Sequence, residues 1–357
     1  MMKSLGKFPD PFIAEISGQP DALRRAANGL RADAAVLHAI ARSAAGRHLV
    51  FTGMGSSYDA CYPAVTELAG AGIIATMLDT AELLHFRTAI LEHDALLVAI
   101  SQSGESIEVV RTVERVRTGA TPPTVVAVTN GTENSLARTA DHVLDTRAGV
   151  ETGPSTMTFA ASLVSAAGLG RVLAGADPET AIDALGREAD RAAAAIERLL
   201  AEPMLADELA DWFGAPETAV ILGRGPARAS AEMGALTIKE AVGIPIESLQ
   251  TAQFRHGPLE LMGPGLAAIV VATEPETLEF DLALAAELVR AGSRVLLVTE
   301  DARESSGARS IATGPIDRAL SPAVSIVPMQ LLAWRLATRR GREPGSYYRA
   351  SKVTTHE

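Results

Sequence analysis

Along the first part of the chain, Leu23, Ala27, Leu30, Ala34, Leu37 and Ile40 recur at spacings of three to four, which predicts a helix over residues 20 to 43. From Leu49 the pattern changes to short, unbroken apolar runs. HLVFTGMG, LLVAISQSG and TVVAVTNG read as strands that end in glycine-bearing loops, with helical spacing between them. Uninterrupted apolar strands alternating with helices predict a parallel sheet covered on both faces. Thr158 to Ala174 is the most apolar helical stretch. It contains Gly168, Gly170 and Arg171 and reads as a buried helix, not a membrane span. A connecting helix is expected over residues 177 to 200, with Asp177 as its N-cap and Pro178 in its first turn.

After that helix the pattern restarts. AVILGRG resembles LVFTGMG, LAAIVVATEPET resembles LLVAISQSGES, and VLLVTED resembles VVAVTNG. The pairs Gly53 and Gly223, Ser101 and Thr273, and Thr129 and Thr299 share nearly one offset, which indicates two copies of one α/β domain. The expected organisation is a helical segment over 1–44, a first copy over 45–176, connecting helices over 177–212, a second copy over 213–338 and a tail over 339–357. The copies differ at one loop. SQSGES becomes TEPET, where a carboxylate replaces the amide and proline replaces the glycine. The second loop would repel a phosphate, so the first copy is the one expected to cradle an anion.

Composition narrows the class. With 357 residues, 47% hydrophobic and 21% charged, the chain is globular and long enough for two cores. The net charge is −11 and no cluster of Lys and Arg interleaves with aromatics, so no nucleic-acid partner is expected. An anionic ligand must then be held by local groups. The single cysteine, Cys61, permits neither an intramolecular disulfide nor a cysteine zinc site and reads as a small core residue in a helix over 59–68. The opening MMKSLGKFPDPF has no apolar core of a signal peptide, and a cytoplasmic protein without membrane contact is expected.

Five motifs carry candidate chemistry. In GMGSSY, Gly55, Ser56 and Ser57 offer donors at a helix N-terminus. A dinucleotide fold would want a third glycine where Tyr58 stands, although Asp79 lies where a ribose-binding acid would. In SQSGES, Ser101, Gln102, Ser103 and Ser106 gather hydroxyls and an amide at the carboxyl end of a strand, before a helix starting near Glu105. A helix cap explains one serine; a phosphate cradle explains the set. ETGPSTMTF brings Ser155 or Thr156 to the start of the apolar helix, as an N-cap or a further contact. GALTIKEAVG reads as a helix closed by Gly243 with Glu240 in its last turn. The helix dipole there disfavours a carboxylate by about 0.3–1 kcal/mol, which suits a group that moves protons. FRHGPLE sets His256 before a backbone-fixing Gly-Pro, and no other histidine clusters with it, so no metal site is expected.

Taken in order, GMGSSY, SQSGES, ETGPST, KEAVGIPIE, FRHGPLE and the terminal SKVT resemble the sugar isomerase (SIS) domain proteins. The resemblance is strongest to the isomerase half of glucosamine-6-phosphate synthase and to the isomerising glucosamine-6-phosphate deaminases and fructosamine-6-phosphate deglycases. It spans nearly the whole chain, from EISGQPDAL onward. It implies two tandem flavodoxin-like subdomains, each a parallel sheet flanked by helices, in a homodimer with shared active sites. It also implies that Ser57, Ser101, Gln102, Ser103 and Ser106 hold a sugar phosphate. By the same resemblance Glu240 is the base that moves a proton between C1 and C2. His256 is the ring-opening histidine, reaching the site from the partner subunit, and Lys352 lies beside the open-chain sugar.

The chain departs from the family pattern at three points. Thr237 stands where the family helix carries a first lysine, Met157 stands where the third loop carries one, and no glutaminase half accompanies the chain. The expectation is therefore a glutamine-independent phosphosugar aldose–ketose isomerase of the deaminase or deglycase type, with no metal or other cofactor. The alternative is a non-catalytic sugar-phosphate sensor.

Overall fold

The structure is a computed structural model and describes residues 10–119, 121–301 and 307–356. The chain divides into two compact units. The described residues of one, the N-sheet unit, fall within Asp21–Glu151, Thr156–Asp190 and Arg349–Glu357. Those of the other, the C-sheet unit, fall within Met1–Pro20, Thr152–Ser155 and Arg191–Tyr348.

The chain opens with α1 (Pro11–Ser17), α2 (Gln19–Ala32) and α3 (Ala34–Ala44). The single helix expected over 20–43 is thus broken at Asp33, whose φ of −95° and ψ of 16° leave the helical basin. Its carboxylate receives the Arg147 guanidinium at 3.0 Å, and that side chain lies so close to Gly29 that a Cβ there would meet Arg147 Cδ at 2.9 Å. The break makes room for a cation that hydrophobic spacing does not register.

The N-sheet unit continues with β1 (His48–Gly53), α4 (Ser56–Asp59), α5 (Cys61–Gly70), β2 (Ala75–Asp79), α6 (Thr80–Phe86), β3 (Ala95–Ile100), α7 (Ile107–Arg117), β4 (Thr124–Thr129), α8 (Ser135–Thr139) and β5 (His142–Asp145). Then come α9 (Met157–Leu173) and α10 (Pro178–Ala201), the second capped by Asp177, whose Oδ2 accepts from the Thr180 amide at 3.0 Å. The five strands are all parallel, in the order β2-β1-β3-β4-β5. Every residue of β3 is buried, as a central strand covered on both faces demands. Asp79 caps α6, accepting from the Glu82 amide at 2.9 Å, which gives it a structural use in place of a ribose contact.

The C-sheet unit carries α11 (Leu205–Phe213), β6 (Thr218–Gly223), α12 (Ala227–Val242), β7 (Glu247–Gln250), α13 (Thr251–Phe254), β8 (Leu266–Ala272), α14 (Leu278–Arg290), β9 (Arg294–Thr299), β10 (Arg309–Ala312), α15 (Ser321–Ser325) and α16 (Val327–Arg339). Its strand order, β10-β9-β8-β6-β7, is that of the first sheet read from the other edge. The duplication seen in the sequence is therefore a duplication of topology: two parallel five-stranded sheets flanked by helices, the flavodoxin-like tandem expected.

Small residues set the helix packing in the N-sheet unit. Cys61 is fully buried, and burial pushes its thiol well above the ordinary range, as befits a core residue. In α9, a Cβ on Gly170 would come within 3.1 Å of the Ala64 Cα in α5, so the two helices meet backbone to backbone. Gly170→Val should overpack that crossing and lower unfolding free energy by about 1–3 kcal/mol. Urea denaturation should show an earlier midpoint at an unchanged slope; an unchanged midpoint would mean the crossing can open freely.

Candidate functional site

The polar loops of the N-sheet unit stand at the carboxyl ends of β1 and β3, which pair directly, Thr52 opposite Ala99. Strand order reverses here, since β1 leads outward to β2 while β3 leads the other way to β4. In open parallel sheets, ligands settle in the crevice at such a switch point. The loop after β1 turns at Gly55, with φ of 52°, into the short helix α4. A Cβ on Gly53 would meet the Tyr58 amide nitrogen at 2.8 Å and the Ile100 carbonyl at 3.0 Å, so this loop lies tight against the end of β3. Ser57 is nearly buried, while Ser56 is half-buried and Gly55 exposed.

The loop after β3 is braced from within. Ser101 extends the sheet by donating its amide to the Val128 carbonyl at 3.0 Å, and its hydroxyl accepts from the Gly104 amide at 3.2 Å. The Ser101 and Ser106 hydroxyls stand 3.4 Å apart, and Ser103 Oγ accepts from the Glu105 amide at 3.1 Å. Gly104 has a φ of 63°, and a Cβ there would fall 1.9 Å from Asn134 Oδ1, so only glycine fits. Gln102, Ser103 and Ser106 remain half-buried at the entrance to α7, which begins at Ile107, two residues later than expected. Hydroxyls, an amide side chain and a helix N-terminus thus converge here, with the exposed Glu105 accepting from the Ser135 amide at 2.7 Å and the buried acids Asp59 and Glu108 in the helices α4 and α7 that follow the loops.

The third loop is organised by Glu151, which sequence reading passed over. Its side chain is wholly buried. Oε1 accepts from the Thr156 amide at 2.8 Å, the Thr156 hydroxyl at 3.0 Å and the Thr158 amide at 3.1 Å. Oε2 accepts from the Thr158 hydroxyl at 2.5 Å and from Lys352 Nζ at 2.7 Å. The tail is also held by its backbone, since the Ile107 amide donates to the Thr354 carbonyl at 3.1 Å. The only sequence signal for Glu151 was the run of threonines around a lone carboxylate. Ser155 is buried and groups with the C-sheet unit, where Glu15 holds the neighbouring Thr152 amide at 2.6 Å.

Glu240 and His256 both belong to the C-sheet unit. Glu240 is half-buried in the last turn of α12, and Gly243 closes that helix in the left-handed conformation, φ 72°, as expected. Arg342 completes the cap by donating to the Ala241 carbonyl at 3.2 Å. His256 lies exposed on the turn after α13, with its amide on the Gln253 carbonyl at 2.9 Å, and Gly257 beside it has a φ of 118°. Among the described residues, no group of three or more His, Cys, Asp or Glu could hold a metal ion, and no helix is long and apolar enough to cross a membrane.

The second copy fills the equivalent loops with its own charges. Arg224 meets the buried Asp281 carboxylate at 2.6 Å. Glu274 is 5% exposed in the loop after β8, with Arg318 at 3.7 Å, and Arg318 also grips Glu276. Burial raises the Glu274 carboxyl from 4.5 to about 7, against the opposing pull of Arg318. The loop is acidic, as TEPET implies.

Residues 44–169 and 215–339 each match the family model of the SIS domain. A glutamine–fructose-6-phosphate aminotransferase (isomerizing) of Pyrobaculum aerophilum is 30% identical over 369 aligned residues covering 100% of this chain. The chain spans 59% of that relative's length. Among solved structures, the C-terminal domain of glucosamine-fructose-6-phosphate aminotransferase from Francisella tularensis superposes with a TM-score of 0.82 at 23% identity, covering 95% of this chain and 98% of that one. Tagatose-6-phosphate ketose/aldose isomerase from Escherichia coli superposes with a TM-score of 0.81 at 21% identity, covering 97% of this chain and 96% of that one. At such identities these two likenesses speak for the fold.

The Glu274 carboxyl makes a pH prediction. Between about 4.5 and 7 the native chain keeps a proton that the unfolded chain has released, so this group's contribution to stability falls as pH rises through that window. Glu274→Gln should remove that slope and raise unfolding free energy at pH 8 by roughly 1–3 kcal/mol relative to wild type. Urea melts at pH 5 and pH 8 test it; a wild-type slope in the variant would assign the burial penalty elsewhere.

Proposed function

The chain belongs to the SIS domain family, and on that premise we propose that it is a phosphosugar aldose–ketose isomerase. Its substrate is an amino sugar phosphate or an amine-conjugated sugar phosphate, and the reaction is of the deaminase or deglycase type. The observation that carries this reading is the set of hydroxyl and amide donors at the β1–β3 switch point, present in one copy and largely replaced at the corresponding loop of the other by Glu274 and Glu276. A phosphate needs several donors. Ser57, Ser101, Gln102, Ser103 and Ser106 with the α7 N-terminus meet that need.

In this scheme His256 assists ring opening, and its exposure leaves it available to a second copy of the chain in a homodimer with shared sites. Glu240 then takes the C2 proton of the open-chain amino sugar, forming an enolamine, and returns a proton at C1. Water adds at C2 as the amine departs, leaving the ketose phosphate. Lys352 stands beside the open chain. Thr237 supports release of an amine in place of its transfer from glutamine. The residue is wholly buried and its hydroxyl has no hydrogen-bond partner among the described residues, so the α12 face offers no lysine there.

Glu240→Gln keeps the shape and removes the base. Turnover should fall about 10²–10⁴-fold with ligand affinity largely retained. In deuterated water the wild type should place deuterium on C1 or C2 of glucosamine-6-phosphate or a fructosamine-6-phosphate, and the variant should not. Exchange by the variant at the wild-type rate would exclude Glu240 as the base. A wild type that binds sugar phosphates yet exchanges none of them would point to a sensor.

The cradle has its own test. Ser103→Ala with Ser106→Ala should weaken sugar-phosphate binding by roughly 1.5–3 kcal/mol per lost charge-assisted bond. These two leave the bonds of Ser101 to the Gly104 amide and the Val128 carbonyl intact. Calorimetric titration with fructose-6-phosphate against plain fructose reads the phosphate contribution, and an unchanged affinity would place the ligand elsewhere.

A further inference from the structure

Glu151 is a carboxylate with no exposed surface, and burying such a charge is tolerated only where it is paired and hydrogen-bonded on both oxygens. Here Oε1 takes the Thr156 and Thr158 amides at the start of α9 together with the Thr156 hydroxyl, and Oε2 takes the Thr158 hydroxyl and the Lys352 ammonium. The α9 N-terminus favours the anion, and the anion in turn fixes a cation from 201 positions along the chain. Residues 349–356 contain no helix or strand to hold them. Two residues beyond Lys352, the Thr354 carbonyl takes the Ile107 amide, directly after Ser106 of the cradle. Two residues span about 7 Å at most, so the tail ties the third loop to the edge of the cradle.

We propose that Glu151 is the positioning residue for Lys352. The carboxylate holds the ammonium, and with it the tail, in place beside the cradle before any sugar arrives, so that binding need not order the segment. Glu151 touches no substrate and acts through Lys352. The inference rests on the reading of Lys352 as a group beside the bound sugar.

A double-mutant cycle tests the coupling, with turnover of glucosamine-6-phosphate or a fructosamine-6-phosphate as readout. Glu151→Gln should lower kcat/KM at least tenfold, Lys352→Met should do the same, and the double variant should lose little more than Lys352→Met alone. A merely structural glutamate would lower activity equally in both backgrounds, and that additive result would overturn the proposal, as would a fully active Lys352→Met. A second arm needs no activity. Trypsin should cut after Lys352 at least tenfold faster in Glu151→Gln than in wild type, under conditions where both remain folded. If Glu151→Gln does not fold, Lys352→Met serves instead, and hydrogen exchange at the Ile107 amide should accelerate at least tenfold. Unchanged protection of the tail in these variants would overturn the positioning role whatever the enzyme's substrate. Loss of protection with no turnover in the wild type would leave the anchor standing and fault only the assigned reaction.

Discussion

Everything polar in the N-sheet unit depends on the direct pairing of β1 with β3. Two neighbouring parallel strands whose chains depart to opposite sides leave a crevice that no connection fills, and their loops must line it. The glycines follow from the same constraint. Gly53 lets one loop lie against the other strand's last carbonyl, and Gly104 lets the second loop turn under Asn134. The serines then occupy the positions that remain open. The entirely buried β3 is paired on both edges, with β1 and with β4, which fixes the end from which its loop departs.

The two copies show what the same frame does with different side chains. In the first, hydroxyls and an amide line the switch point, and Glu105 is turned to the Ser135 amide. In the second, Glu274 occupies the corresponding loop and Arg224 is taken up by Asp281 in the first turn of α14, so that the loop is acidic and its nearest cation is already paired. Duplication preserved the topology because the apolar strands specify it. Away from the few tight positions such as Gly53 and Gly104, the loops are not part of the apolar core, and they diverged.

That division also explains what could be read from sequence. The central strands β1, β3, β4, β6, β8 and β9 were legible because burial on both faces makes them unbroken apolar runs. The edge strands β2, β5, β7 and β10 are half-exposed and carry mixed residues, so no run announces them. The Asp33 break was invisible because an ion pair with Arg147, distant in sequence, sets it. The cradle serines and Glu240 stood out, the former by density beside a strand and the latter by its place before a helix-ending glycine. Glu151 did not, since a buried glutamate looks in sequence like any surface acid. Its meaning depends on a lysine at the far end of the chain.

The last described residues of the chain group with the N-sheet unit, although the strands and helices of the C-sheet unit precede them in sequence. A protein is made from its N-terminus onward, and domains usually close as they emerge. Here the N-sheet unit has all its strands long before it has Lys352, so the charge on Glu151 waits through the synthesis of an entire second sheet. The unit that forms first is therefore the last to be finished, and only a chain translated past Lys352 can carry a complete third loop.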